Sequence, residues 1–185
     1  MRIISGEYGG RHLKALAGDI TRPTTDKVKE SIFNIIGPYF DGGICLDLYG
    51  GSGGLSIEAV SRGMDFAILF EKDRKAQAII QENIAITKEP EKFHLIKGDC
   101  KKLGYKFNKP VHLIFLDPPY KQQTIEQDLL KLIDQGIVTE DTLAVCETDK
   151  SIYLPTTIGC LSQWKRQEYG TIAVTFYHVI TNDKE

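Results

Sequence analysis

Apolar residues in this chain come as short unbroken runs separated by helical stripes. The runs are Ile44-Cys45-Leu46-Asp47-Leu48, Phe66-Ala67-Ile68-Leu69-Phe70-Glu71, Phe93-His94-Leu95-Ile96, Val111-His112-Leu113-Ile114-Phe115-Leu116 and Leu143-Ala144-Val145-Cys146-Glu147. Each has the length of a strand buried on both faces, as in a parallel sheet. Between them lie helical patterns: Leu55 to Arg62, stopped by Gly63, then about Asp73 to Ile86 and about Thr124 to Gln135. Strand and helix thus alternate, and the first three strands make a βαβαβ half. Ahead of them, Val28, Ile32, Ile35 and Ile36 predict a core-facing helix capped by Thr or Asp and ended by Gly37-Pro38, with Lys27 and Lys29 off the stripe. Residues 2–16 predict a β-hairpin around Gly6-Glu7-Tyr8-Gly9-Gly10, its second strand alternating cations with apolar residues. After Pro155 no helix separates residues 160–168 from 171–180, so these pair antiparallel around Tyr169-Gly170.

Length and composition narrow the class. At 185 residues the chain is a single domain with room for a core, and 42% hydrophobic with 26% charged residues is ordinary for a soluble globular protein. No apolar run approaches the roughly 20 residues of a membrane span, and Met1 to Gly6 is not a signal peptide, so a cytoplasmic location is expected. Cys45, Cys100, Cys146 and Cys160 are widely spaced, which points to reduced thiols rather than a metal site or disulfides. The net charge of −2 is unevenly spread. Residues 1–30 carry six basic against four acidic side chains, the remainder seventeen against twenty-one. A basic edge on an acidic body suits an enzyme that meets a polyanion along one face, and ordinary surface scatter accounts for it as well.

The candidate chemistry begins at Asp47-Leu48-Tyr49-Gly50-Gly51-Ser52-Gly53-Gly54, where a strand ends in a glycine-dense turn that opens into a helix. Glycines let the chain turn sharply and bring backbone against a ligand, and the free N–H groups of the helix start can hold its polar groups. A P-loop is excluded because no Gly-Lys-Ser/Thr closes the turn. NAD and S-adenosylmethionine both remain. Asp47 favours the second, since a carboxylate there suits a cationic ammonium. Glu71 ends the next strand about 20 residues on, where such sites place the acid that bonds ribose hydroxyls. Asp99 and Cys100 stand at the end of the third strand.

The fourth strand ends in Asp117-Pro118-Pro119-Tyr120, at the sheet end where these folds bind ligands. The exocyclic amine of a base is a poor nucleophile because its lone pair is delocalised into the ring. Asp117 and the Pro118 carbonyl can accept its two N–H bonds and orient the nitrogen, and the prolines hold the acceptors in place. Tyr120 offers a ring face, and base stacking is worth about 1–3 kcal/mol. No metal enters this chemistry. An oxidoreductase would share the glycine loop and Glu71 but has no use for this tetrapeptide, and a non-catalytic RNA-binding module would need only the basic hairpin.

These motifs resemble the class I S-adenosylmethionine-dependent amino-methyltransferases. The opening Arg2-Ile3-Ile4-Ser5-Gly6, with Gly9-Gly10-Arg11 and Arg22-Pro23-Thr24-Thr25-Asp26-Lys27-Val28-Lys29-Glu30, resembles the RsmD family, over nearly the whole chain. Tyr49 stands where relatives often carry Phe. The resemblance implies a Rossmann-like α/β fold with a seven-stranded, mostly parallel sheet of order 3-2-1-4-5-7-6, strand seven reversed. It implies one methyltransferase domain, 1–185, with an N-terminal hairpin extension, 1–23, and a core, 24–185. The implied activity is methylation of a guanine 2-amino group in 16S rRNA, of the guanine 966 type, on the small ribosomal subunit. Adenine in DNA or RNA is the alternative acceptor, because the tetrapeptide fits either amine.

By motif, Asp47, Gly50, Gly51, Ser52 and Gly53 would line the methionine and ribose of S-adenosylmethionine, and Glu71 with Lys72 the ribose. Asp99 and Cys100 would flank the adenine, and Arg22, Thr24 and Thr25 would lie over the methionine end. Asp117, Pro118, Pro119 and Tyr120 would hold the guanine, while Arg2, Arg11, His12 and Lys14 are candidates for RNA contact. A flipped or unpaired guanine is required. So small and nearly neutral a protein has little surface for reading sequence. The expected partner is therefore the assembled subunit or its intermediate, ribosomal proteins included, with the enzyme a monomer and no membrane involved.

Overall fold

The five apolar runs form the five strands predicted for them, in a computed structural model that describes residues 1–16, 25–102, 109–119, 121 and 123–181. The chain divides into two compact units, residues 1–103 and 104–185. In the first, β1 (Ile44–Asp47), β2 (Phe66–Glu71) and β3 (Phe93–Lys97) lie in the order β3-β2-β1, all parallel. Helices α1 (Asp26–Ile36), α2 (Gly54–Ser61) and α3 (Arg74–Ile86) belong to the same unit. Thr25 accepts a hydrogen bond from the Val28 N–H and Asp73 one from the Ala76 N–H, so each of α1 and α3 starts on a side-chain cap. In the second unit β4 (Val111–Leu116) pairs parallel with β5 (Val138–Asp149), and α4 (Ile125–Asp134) connects them. β8 (Ile172–Val179) then pairs antiparallel with β5, and β7 (Leu161–Tyr169) with β8. Reversal of the last strand is thus borne out.

Three details depart from the sequence reading. The described residues form eight strands rather than seven, because Thr157–Ile158 forms a short β6 against β7, turned at Gly159. Two residues are too few for any periodicity to show. The second is the N-terminal hairpin. It is a clasp held by one bridge, Arg2 to His12, and a few backbone bonds around Ile3 and Leu13, not a two-stranded ladder. Its residues bond instead to the helices: Glu7 N–H donates to the Ser61 carbonyl and Tyr8 N–H to Ser61 Oγ. Gly6 makes this approach possible, since a Cβ there would sit 1.9 Å from the Ser61 carbonyl oxygen.

The third departure is α1. Its buried residues are Lys29, Ile32 and Phe33, whereas Val28, Ile35 and Ile36 are only partly covered. Lys29 is therefore not off the core face but at its centre, 1% exposed, with Nζ 3.3 Å from Glu58 Oε1. Glu58, fully buried on α2, also takes Arg62 Nε at 2.8 Å and the N–H groups of Ile4 and Ser5. Burial lowers the Lys29 pKa, and Glu58 opposes that shift. Removing one member of a buried ion network costs about 3–5 kcal/mol, because the partners stay buried without compensation. Glu58→Ala should cost about that much in urea unfolding, and a loss under about 1 kcal/mol would show the network to be dispensable.

Among the described residues no helix is long and apolar enough to cross a membrane. All four cysteines are free; Cys45, Cys100 and Cys146 are buried and Cys160 is partly covered.

Candidate cofactor and target-base sites

β1 delivers Asp47 to its carboxyl end, 2% exposed, and the chain turns at once into the glycine loop. Asp47 Oδ2 accepts a hydrogen bond from Ser56 Oγ at 3.0 Å and Oδ1 one from the Tyr49 N–H at 3.2 Å. The loop is fastened from behind by the Gly50 N–H, which donates to the Phe70 carbonyl of β2. Gly53 sits at φ +81 and caps α2 without a side chain, so no cap side chain among the described residues takes the N–H groups of the first α2 turn. Ser52 Oγ points its hydrogen at the Met1 thioether, 3.9 Å away.

β2 ends at Glu71, which is half-buried and bracketed by the same loop. Its carbonyl accepts from the Gly98 N–H and from Gln77 Nε2, which fixes the exits of β2 and β3 together. Burial pushes the Asp47 carboxyl up to about 6, against the pull of the Ser56 hydroxyl and the Tyr49 N–H. Burial first, and the Asp47 charge second, push Glu71 up to about 7, while the N–H groups of Lys72 and Gly51 pull the other way. Two raised carboxyls around a left-handed glycine turn are poised for a cationic or hydroxyl-bearing ligand. Asp99 lies two residues beyond the Glu71-to-Lys97 pairing, half-buried, and accepts from the Lys101 N–H at 2.9 Å. Cys100 beside it is buried and Lys72 is exposed.

The fit of S-adenosylmethionine to this unit is good on three counts. The buried Asp47 carboxyl offers charge to its cations, the glycine turn brings backbone to the surface of the loop, and the half-buried acid that ends β2 suits ribose hydroxyls. Arg22 and Thr24 lie outside the described residues; Thr25 is exposed and caps α1.

In the second unit Asp117 follows β4 directly, half-buried, with Pro118 buried and Pro119 exposed. Leu116 pairs with Cys146, so the two prolines leave the sheet alongside the last turns of β5. Tyr120 lies outside the described residues.

Of the candidates for RNA contact, Arg2, His12 and Lys14 are exposed. Arg2 pairs with Asp26 at 3.6 Å and Lys14 with Glu82 at 2.8 Å, both in solvent, where such pairs contribute little. Arg11 is differently engaged: its guanidinium donates to the Ile86 and Thr87 carbonyls at the end of α3 and lies over the Tyr8 ring.

Sequence reasoning missed Ser56, Met1 and, above all, Asn83. This fully buried amide on α3 donates to the carbonyls of Ser52 and Lys14 and accepts from the Lys14 N–H, at 2.8–2.9 Å. One side chain thereby joins the N-terminal clasp to the glycine loop. The available signal was a polar residue on the helical stripe of Ala76, Ile80 and Ile84.

Comparison with known proteins places this geometry. The chain is 46% identical to YlbH of Bacillus subtilis over 181 residues, covering 96% of this chain and 98% of that one. It is 30% identical to ribosomal RNA small subunit methyltransferase D of Escherichia coli over 177 residues, covering 96% and 89%. The solved structure of Escherichia coli yhhF matches with a TM-score of 0.83 at 31% identity, over 97% of each chain. The fold is therefore the Rossmann-like fold of class I methyltransferases. The model of the family described as Conserved hypothetical protein 95 matches residues 1–178, and the chain belongs to this family, that of RsmD.

The two carboxyls generate a pH prediction. Both are raised, so the ligand-free native state holds these protons more tightly than the unfolded chain, whose carboxyls titrate near 4 by about half a unit either way. Their contribution to stability is complete below about pH 4 and is lost as pH rises through about 6 to about 7. Between pH 5 and pH 8 the ligand-free protein should lose about 1–3 kcal/mol more than the Asp47→Asn/Glu71→Gln double variant, by urea unfolding. Equal losses in both proteins would show that neither carboxyl is raised.

Proposed function

We propose that this protein transfers a methyl group from S-adenosylmethionine to the 2-amino group of a guanine in 16S rRNA, of the guanine 966 type, on the small ribosomal subunit. The observation that carries this reading is the pair of raised carboxyls, buried Asp47 and half-buried Glu71, beside the left-handed glycine loop. A cationic, ribose-bearing cofactor relieves both. The name of the Escherichia coli relative supports rRNA as the substrate class.

S-adenosylmethionine, when bound, supplies an electrophilic methyl on a sulfonium. The residues of this chain do the rest. Asp47, Gly50, Gly51, Ser52 and Gly53 hold the methionine and ribose portion, with Arg22, Thr24 and Thr25 over its methionine end. Glu71 and Lys72 take the ribose, and Asp99 and Cys100 flank the adenine. Asp117 and the Pro118 carbonyl accept the two N–H bonds of the guanine amine and so direct its lone pair at the methyl. Pro118 and Pro119 keep these acceptors from relaxing, and Tyr120 stacks on the base. Asp117 is not required as a strong base, because the amine is acidic once it carries the new methyl and a positive charge. Arg2, His12 and Lys14 meet phosphate, while Arg11 serves mainly to fix the clasp they belong to.

The whole chain works as one methyltransferase domain, monomeric and cytoplasmic. It acts on an assembled particle in which ribosomal proteins shape the target.

The test uses tritiated S-adenosylmethionine and small subunits from cells lacking the gene, followed by nucleoside analysis and mapping of the labelled position. Label in 2-methylguanosine is expected. Label in methyladenosine would move the acceptor to adenine, and no label on particles or naked nucleic acid would overturn the reading. Asp117→Ala should lower kcat by about 10²–10³-fold, the loss typical of one preorganised polar group, with S-adenosylmethionine affinity unchanged.

A further inference from the structure

Tyr153 is the most exposed large side chain of apolar character among the described residues, 73% open to solvent. A ring so placed gains little from burial, yet it is held firmly. The Arg166 guanidinium lies 4.0 Å from its ring centroid. Arg166 itself is mostly covered, 13% exposed, and is fixed by its other contacts. Its Nη2 donates to the Lys150 and Ile152 carbonyls at 2.7 and 3.4 Å, and its Nη1 to Glu168 Oε1 at 2.8 Å. The rest of the loop is pinned as well. Asp149 Oδ1 accepts from the Ser151 N–H and hydroxyl, and the Tyr177 hydroxyl donates to the Pro155 carbonyl at 2.6 Å. One ring face therefore rests on a cation and the other looks into solvent, in a loop with little freedom left to lose.

The position of this loop is set by sheet register. Leu116 of β4, Cys146 of β5, Thr175 of β8 and Arg166 of β7 form one row across the second unit. Asp117 follows Leu116 immediately, and the loop of residues 150–156 follows the carboxyl end of β5. Three strand spacings separate Leu116 from Arg166, roughly 14 Å. The platform thus stands at the same sheet end as Asp117-Pro118-Pro119, at a distance that a short single-stranded segment spans.

We propose that Tyr153, backed by Arg166, is a stacking platform for an unpaired base of the RNA substrate that neighbours the target guanine. The inference rests on the functional reading above. A base is the occupant that the surroundings favour. The other exposed residues of the loop, Lys150, Ser151, Pro155 and Thr156, offer no apolar groove for a protein segment. A single rigid ring with a cation behind it, in a loop that also carries the exposed Lys150, suits a base joined to a phosphate. The cation strengthens the site by electrostatic attraction to the ring it supports.

Exposure makes the test clean, because Tyr153→Ala removes almost no buried surface and should fold as the wild type does. Stacking of one base is worth about 1–3 kcal/mol, so Tyr153→Ala should raise KM for small subunits by about 5- to 100-fold. Its kcat and S-adenosylmethionine affinity should stay at wild-type values, and Tyr153→Phe, which keeps the ring, should keep the wild-type KM. An unchanged KM in Tyr153→Ala overturns the platform. Affinity for protein-free RNA carrying the target segment, followed by fluorescence anisotropy, provides the second arm. A defect on particles with no defect on this RNA would assign the ring to a ribosomal protein and overturn the proposal. If the wild type labels no RNA, the functional reading fails separately, and equal RNA affinities of wild type and Tyr153→Ala would then sink the platform too.

Discussion

A carboxylate buried at zero exposure organises the first unit of this protein. Glu58 cannot be left unpaired in an apolar interior, and its two oxygens collect Lys29 from α1, Arg62 from its own helix and the N–H groups of Ile4 and Ser5. Lys29 and Arg62 in turn reach the Arg2 and Pro38 carbonyls. Such a network adds less net stability than its contacts imply, since desolvating three charges offsets most of the attraction. What it fixes is placement. Only one arrangement of the N-terminal clasp, α1 and α2 satisfies every member, and α2 is the helix that the glycine loop opens into.

The glycine loop is a place where the fold carries carboxyls that burial disfavours. Asp47 and Glu71 both hold their protons more tightly than free carboxyls do, which is the mark of burial without sufficient compensation. An apolar pair would be easier to fold around. Asn83 adds a mechanical link, because its amide holds the Ser52 carbonyl of the loop and both backbone groups of Lys14.

The second unit shows a different economy. Here the acceptors are stiffened by proline, and the neighbouring ring of Tyr153 is stiffened by a covered guanidinium. Neither depends on a large apolar surface. Both leave these side chains with little conformational freedom to lose. The fold alone would be compatible with many chemistries, and it is these few side chains at the strand ends that narrow them.

Most strands and helices were legible in the sequence because their cause is local. A run of apolar residues such as Val111 to Leu116 states its burial without reference to anything distant, and Gly51, Gly53 and the two prolines constrain backbone by their own covalent structure. So the glycine turn, Asp47, Glu71 and Asp117 at the strand ends could be placed in advance. What the sequence left open depends on partners far along the chain. Lys29 reads as a surface cation until Glu58, 29 positions later, is folded against it, and the hold of the Arg11 guanidinium on the α3 carbonyls has no local signal at all. The two-residue β6 exists only because β7 is there to pair with it. The sequence by itself determined most of the elements and which residues stand at the strand ends. The tertiary structure decided which polar groups are spent on holding the fold, because a charge or amide acquires its role from the burial and partners that only long-range packing supplies.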